Sequence, residues 1–156
     1  MGIFKTYINL LNMPSKDSIN KLSQKNILSL YQYLYEYTKE YAGNYGNFHW
    51  DDNSVTEFCK RNNIVQKGAR NRKYASNFFW FEACKPKGQE HNDIAHHFLR
   101  HIRNSIAHAN ICKERKKQDS YFIINDYNEN GKQTMHGRIK EDLFFAFVNI
   151  IINTFK

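Results

Sequence analysis

The sequence predicts a single all-α domain over residues 1–156, built as a helical bundle with a small β-hairpin before the C-terminal helix. The 156-residue chain has the size of one domain. Only two prolines and seven glycines interrupt it, which favours long regular elements. Apolar residues make up 41% of the chain and recur mainly at helical spacing, so they can form a core without disulfides or a metal.

Four helices are predicted in the first part of the chain: Ile3–Leu11, a helix from Asp17 or Ser18 to about Tyr41, a helix capped by Ser54 with Glu57 as its capping-box partner, and Tyr74–Cys84. Breakers separate them. They are Pro14, the Gly/Asn stretch at 42–46, and the stretch at 85–88 with its Pro and Gly. Gly68–Lys73 is predicted to be a basic connector.

The second part of the chain carries the candidate site on an amphipathic helix, predicted from near His91 to about Ile111. Lys113–Asp119 then forms a charged linker, followed by a hairpin over Tyr121–His136 and a final apolar helix over Glu141–Phe155. Asn130-Gly131 predicts a two-residue type I′ turn in the hairpin, with Glu129 opposite Lys132.

Charge and composition narrow the possible partners. The net charge of +8 favours a polyanion such as RNA, because binding releases counterions; a solvated basic surface is the alternative. The three cysteines lie far apart and predict neither a disulfide framework nor a zinc ribbon, so a cytoplasmic location is expected. Neither a signal peptide nor an apolar run of the roughly 20 residues that a membrane span needs is visible.

On a helical wheel, the candidate-site helix has a wide apolar stripe and a narrow polar one. The apolar stripe is expected to face the core and contains Ile94, Ala95, Phe98, Leu99, Ile102, Ile106 and Ala109. The polar stripe contains His97, His101, Asn104 and His108. Arg103 lies about 140° from His108, so one straight helix does not easily aim both at the same atom. Two copies related by a two-fold axis can pool them, which predicts a composite site in a homodimer.

These residue types suit the cleavage of RNA. Histidine changes charge near neutral pH, so His108 can remove the proton from a 2′-hydroxyl, and His108 of a second copy can protonate the leaving 5′-oxygen. Arg103 keeps its charge and matches phosphate oxygens with a planar set of donors, which stabilises the transition state. Asn104 can orient a histidine or form a hydrogen bond across the dimer. No metal or other cofactor is required. A surface helix with solvated His and Arg is the competing interpretation.

The twelve residues from Phe98 to Ala109 resemble the signature helix of the HEPN superfamily. That signature is an Arg, a polar residue, and a His after a spacer of four to six residues, which is four residues here. The resemblance implies an all-α bundle, a homodimer with both motifs at its interface, and metal-independent ribonuclease activity with Arg103, Asn104 and His108 at the site. It also implies a toxin or anti-phage role, and small HEPN proteins of plasmids and mobile elements look most similar.

One departure concerns regulation. Toxins of the family that are paired with a nucleotidyltransferase antitoxin often have Tyr two residues after the His, where this chain has Asn110. This departure argues against control by modification of such a tyrosine and leaves an antitoxin or another regulatory protein open as a partner. The alternative function is a non-catalytic HEPN module that binds RNA or a protein, and a third is a helical interaction protein with no nucleic-acid role.

Further residues are predicted to contact RNA around the motif. They are His97, Arg100 and His101 on the helix, and Lys113, Arg115, Lys116 and Lys117 after it. His97 and His101 have the spacing to chelate a metal, but the stripe offers no matching Cys or carboxylate, so no metal site is predicted. A solvated linker is the alternative for the basic segment.

Overall fold

The computed structural model describes residues 22–43, 47–66, 77–83 and 94–155. Within these ranges the chain forms four α-helices, one π-helical turn and five β-strands. In chain order they are α1 (Gln24–Glu36), the π-helical turn Tyr37–Tyr41, α2 (Asn53–Arg61), β1 (Ile64–Gln66), β2 (Asn77–Phe81), α3 (Ile94–Ala107), β3 (Ile111–Lys116), β4 (Asp119–Tyr127), β5 (Gln133–Lys140) and α4 (Glu141–Ile152). The helix predicted over Ile3–Leu11, the cap at Asp17 or Ser18 and the connector Gly68–Lys73 lie outside the described residues.

The prediction of an all-α fold is wrong, because the described residues combine four helices with a five-stranded mixed sheet. Its strand order is β1-β2-β5-β4-β3, with β1 and β2 parallel and the other neighbours antiparallel. The segment predicted as the helix Tyr74–Cys84 contains β2, and the predicted linker Lys113–Asp119 contains most of β3. A short aromatic run does not distinguish helix from strand by its period, and aromatic residues pack well on a pleated sheet.

The hairpin prediction is confirmed, but its strands are longer and its turn differs. Asn128 N donates to Lys132 O at 2.9 Å and Gly131 N donates to Asn128 O at 3.0 Å. Gly131 has a φ of 77°, the left-handed conformation that glycine adopts without strain. The loop therefore has three residues, Glu129 to Gly131, instead of the predicted two. The Lys132 ammonium lies 2.7 Å from a carboxylate oxygen of Glu82, the residue that directly follows β2.

Side-chain caps begin the first two helices. Ser23 accepts a hydrogen bond from Asn26 N at 3.1 Å and begins α1. Asp52, and not the predicted Ser54, caps α2, because its carboxylate accepts from Ser54 N at 2.9 Å. The continuation of the first helix to Tyr41 is confirmed, although its last turn is π-helical.

The core lies between the helices and one face of the sheet. Phe79 and Gly137 are direct cross-strand neighbours, and a Cβ on Gly137 would overlap the Phe79 ring. Phe98 of α3 and Phe147 of α4 pack against this ring with centroid separations of 5.0 and 5.6 Å, and Trp50 packs against both helices. Aromatic packing thus fixes α3 over the sheet and determines which of its side chains meet a strand.

Candidate active site

The apolar stripe of α3 faces the core as predicted. Its Ala95, Phe98, Leu99, Ile102 and Ile106 are fully buried, and Ile94 is half-buried. Ala109, which was predicted on the same stripe, is buried but lies beyond the end of α3. The first helix, α1, also contacts α3, because the Tyr33 hydroxyl donates to the Leu99 carbonyl at 2.7 Å. The buried stripe and this buried hydrogen bond together fix the rotation of α3 about its own axis.

The polar stripe of α3 does not form one continuous surface. His97 and His101 are only 4% and 3% exposed, whereas His108 is exposed. The His97 Nδ1 atom lies 3.2 Å from a guanidinium nitrogen of Arg100. In the protomer, the two buried rings have little surface to offer the RNA that they were predicted to contact.

His101 is held between two strands of the sheet. Its Nδ1 lies 2.7 Å from Asp126 Oδ2 on β4, and its Nε2 lies 2.8 Å from the Glu82 carbonyl oxygen at the end of β2. Both ring nitrogens therefore face an acceptor, and both hydrogen bonds form only when the ring carries a proton on each nitrogen. A histidinium facing a carboxylate is the charge-compensated form of this buried pair.

Arg103 and Asn104 are linked to the same carboxylate. An Arg103 guanidinium nitrogen donates to Asn104 Oδ1 at 2.5 Å, and Asn104 Nδ2 donates to Asp126 Oδ2 at 3.2 Å. Both side chains are half-buried. The Arg and the polar residue of the motif are thus connected, through one amide, to a strand of the sheet.

Asp126 is the central acceptor of this site, and sequence reasoning missed it. It is 2% exposed, and its second oxygen accepts from Tyr127 N at 3.0 Å. Burial raises the pKa of Asp126, but the hydrogen bonds from His101 and Asn104 outweigh it, so the pKa lies below its ordinary value. The available signal was an acidic residue two positions after the buried Ile124, on the face of a predicted strand that should be apolar.

The end of α3 positions His108 differently from His101. Asn110 N donates to Ser105 O at 2.8 Å and Ala109 N to Ile106 O at 3.1 Å, the pair of bonds that closes a Schellman motif. Ala109 adopts a φ of 56°, which turns the chain sharply into β3. His108 is therefore the C-cap residue of α3. Among the described residues, its side chain has no hydrogen-bond or ion-pair partner.

The basic segment after the motif divides into two parts. The Lys113 ammonium faces the helical layer and lies 3.0 Å from a Glu141 carboxylate oxygen. Arg115, Lys116 and Lys117 are exposed at the end of β3 and in the turn to β4. The charged surface that was predicted as a linker is therefore the edge strand and tip of a hairpin.

Three further observations concern metal ions, membranes and cavities. In the described ranges, no three His, Cys, Asp or Glu side chains are grouped so that they could hold a metal ion. None of the helices in these ranges is both long and apolar enough to cross a membrane. A cavity of about 510 Å³ opens where α1 and α4 begin, and no motif residue lines it.

The fold and site together define a small α/β domain whose central helix presents Arg-Asn-x3-His against a sheet, the motif of HEPN proteins. The model of the family described as HEPN pEK499 p136 matches residues 4–156. The chain belongs to this family, and it is a HEPN-superfamily protein of the plasmid type. No curated protein and no solved structure shows a significant match. Membership indicates a nuclease or another RNA-related function.

Proposed function

We propose that this protein is a metal-independent endoribonuclease in which Arg103, Asn104 and His108 form the active site. The observation that carries the proposal is that, in a member of a HEPN family, the motif arginine is held in place and the motif histidine is exposed. Arg103 is held by Asn104 at 2.5 Å, while His108 at the helix end is exposed. A fixed cation and an accessible imidazole are the two groups that suit phosphate-ester cleavage.

The proposed reaction begins when the neutral His108 imidazole removes the proton from a ribose 2′-hydroxyl. The 2′-oxygen attacks the adjacent phosphorus, and the bond from phosphorus to the 5′-oxygen breaks. The products are a 2′,3′-cyclic phosphate and a 5′-hydroxyl, whose proton comes from a protonated His108 of the other protomer. Arg103 stabilises the negative charge that accumulates on the phosphoryl oxygens.

The same proposal includes a homodimer formed through the Arg103–His108 segment. Arg103 lies about 140° from His108 on a helical wheel, so a single protomer presents them in different directions. A two-fold copy of the helix end supplies a second imidazole, which the acid step needs. Arg115, Lys116 and Lys117, which are exposed, and Arg100 are proposed to hold the phosphates that flank the cleaved bond.

Cleavage is tested with purified protein and RNA in the presence of EDTA. Wild type should produce 2′,3′-cyclic phosphate ends. His108→Ala should lower the rate by at least about 100-fold, and Arg103→Ala by about 100- to 1,000-fold. His49→Ala is the matched control, since His49 is also exposed but lies outside the motif. RNA binding by the wild type without cleavage would support a non-catalytic RNA-binding module instead.

The shared site is tested with a heterodimer that contains one wild-type protomer and one His108→Ala protomer, purified through two different tags. If each protomer carried a complete site, the heterodimer would keep about half of the activity per dimer. The pooled site needs both imidazoles, so its activity should fall almost to that of the His108→Ala homodimer. Half activity would contradict the composite site while leaving the ribonuclease function in place.

A toxin or anti-phage role in the cytosol is the proposed biological setting. Unrestrained cleavage of cellular RNA stops growth, so induced expression of wild type should arrest growth and fragment RNA. The Arg103→Ala/His108→Ala double variant should do neither at equal protein level. Growth arrest by that variant would point to a toxicity that does not depend on cleavage.

A further inference from the structure

The Asn104 amide lies between a guanidinium and a carboxylate, and this determines which way it points. Its Nδ2 faces Asp126 Oδ2 at 3.2 Å and its Oδ1 faces the Arg103 guanidinium at 2.5 Å. Rotation of the amide by 180° would set its oxygen against the carboxylate and its NH2 group against the cation, so both contacts would become repulsive. The negative charge of Asp126 therefore keeps an acceptor directed at Arg103.

Two groups besides Asn104 hold the carboxylate: His101 Nδ1 lies 2.7 Å from Asp126 Oδ2, and Tyr127 N donates to Oδ1 at 3.0 Å. The His101 ring is anchored on its other side by the Glu82 carbonyl at 2.8 Å. Phe81 packs against the same ring with a centroid separation of 5.9 Å. Asp126 and His101 are nearly fully buried, so solvent cannot replace these partners.

A buried carboxylate with a histidine partner is not the arrangement that stability alone favours. Removing a charge from water costs several kcal/mol, and an apolar pair of similar volume often serves a core equally well. The pair here differs from an isolated one, because its carboxylate has a further hydrogen bond to a motif residue. An unbroken series of hydrogen bonds therefore joins Asp126 of the sheet, through Asn104, to the Arg103 guanidinium.

On this basis we propose that Asp126 and His101 are positioning residues that set the direction of the Arg103 guanidinium through the Asn104 amide. The inference rests on the proposed ribonuclease function, in which Arg103 stabilises charge that develops on the phosphoryl group. Neither residue touches RNA. Loss of the pair misdirects Arg103 in the transition state more than it weakens RNA binding, so it lowers kcat and leaves KM nearly unchanged.

The first test is kinetic and uses Asp126→Asn, which keeps the shape of the side chain but removes the charge that orients the amide. The expected result is a fall in kcat of about 10- to 100-fold with KM changed less than about threefold. In an Arg103→Ala background the same substitution should have no further effect, because the group it acts through is absent. An equal fall in both backgrounds, or no fall in wild type, would overturn the proposal.

A control variant separates positioning from general destabilisation. Thr154→Val removes a buried hydroxyl that donates to Ile151 O at 2.6 Å and accepts from His49 N at 2.8 Å, with no partner in the motif. It should lower the melting temperature but leave kcat within about twofold of wild type. If Asp126→Asn fails to fold, Asn104→Ala interrupts the same connection at a half-buried helical position and should show the same kcat loss.

The second test does not depend on catalysis and therefore distinguishes failure of this inference from failure of the ribonuclease proposal. In ¹⁵N-labelled protein, a held Arg103 guanidinium gives separate Nη resonances, and a freely rotating one gives an averaged resonance. Separate resonances are expected in wild type and Thr154→Val, and averaged ones in Asp126→Asn and Asn104→Ala. Averaging in wild type, or separate resonances in Asp126→Asn, would overturn the positioning role whether or not RNA is cleaved.

Discussion

His101 and His108 lie seven positions apart on one predicted helical face, and the fold places them in opposite environments. His101 is 3% exposed and contacts Asp126 and the Glu82 carbonyl, so each of its ring nitrogens faces an acceptor. His108 is exposed beyond the last turn of α3. One histidine connects the helix to the sheet, and the other is accessible to a substrate.

This difference has two physical sources. The sheet passes under the middle of α3, where β4 brings a carboxylate to the helix and leaves His101 only 3% exposed. The helix then ends at a Schellman motif, so the next histidine on the face extends past the packed layer. Two identical side chains in a repeating pattern therefore acquire a structural role and a proposed chemical role.

The largest expected effect is the difference in the free energy of unfolding between alanine variants of the two histidines. His101→Ala should lower the free energy of unfolding by about 3–5 kcal/mol, because it leaves the Asp126 carboxylate buried without its ionic partner. His108→Ala should change it by no more than about 0.5 kcal/mol, as is usual for an exposed site. Urea denaturation measures both values. Similar losses in the two variants would remove the basis of the comparison.

A smaller effect is expected at the helix end. Ala109 has a φ of 56°, a left-handed conformation that costs an alanine roughly 1–2 kcal/mol. Ala109→Gly should therefore raise the free energy of unfolding by about 0.5–1 kcal/mol, after allowance for the greater freedom of glycine in the unfolded chain. Ala107→Gly, inside the last helical turn, is the control and should lower it by about 1 kcal/mol. Thermal melting of the two variants should shift in opposite directions.

The smallest effect concerns the acid sensitivity of stability at the buried Asp126 carboxylate. Burial raises the pKa of Asp126, but hydrogen bonds from His101 and Asn104 lower it to below the unfolded value of about 3.8. Its contribution to stability is therefore complete above that value and is lost as the pH falls through the folded pKa. Between pH 5 and 2.5, Asp126→Asn should lose less stability than wild type, while Thr154→Val should follow the wild-type slope. Parallel curves for wild type and Asp126→Asn would contradict an ionised Asp126 in the folded protein.

Local pattern was sufficient for much of the chain. The helical spacing on the motif segment predicted its buried stripe, and the Asn130-Gly131 pair predicted a hairpin before the last helix. The family resemblance on twelve residues is confirmed by a match over residues 4–156. These features depend on neighbours a few positions apart, which the sequence displays directly.

Local pattern failed where strands had to find distant partners. β2 was predicted as a helix because five aromatic and polar residues in a row do not specify a period, and pairing with β5, more than fifty residues later, decides the outcome. β3 was predicted as a linker because its charges suit a solvated edge as well as a loop. The all-α prediction failed for these two reasons.

The sequence by itself determined the motif, the helix that carries it, the hairpin and the basic character of the chain, since each follows from residue type and short spacing. Only the tertiary structure decided that His101 is buried, that Asp126 contacts both His101 and Asn104, and that Arg103 donates to the Asn104 amide. Side chains 22 to 25 positions apart meet here because the sheet brings β4 beneath α3, and the spacing of residues along the chain does not specify that approach.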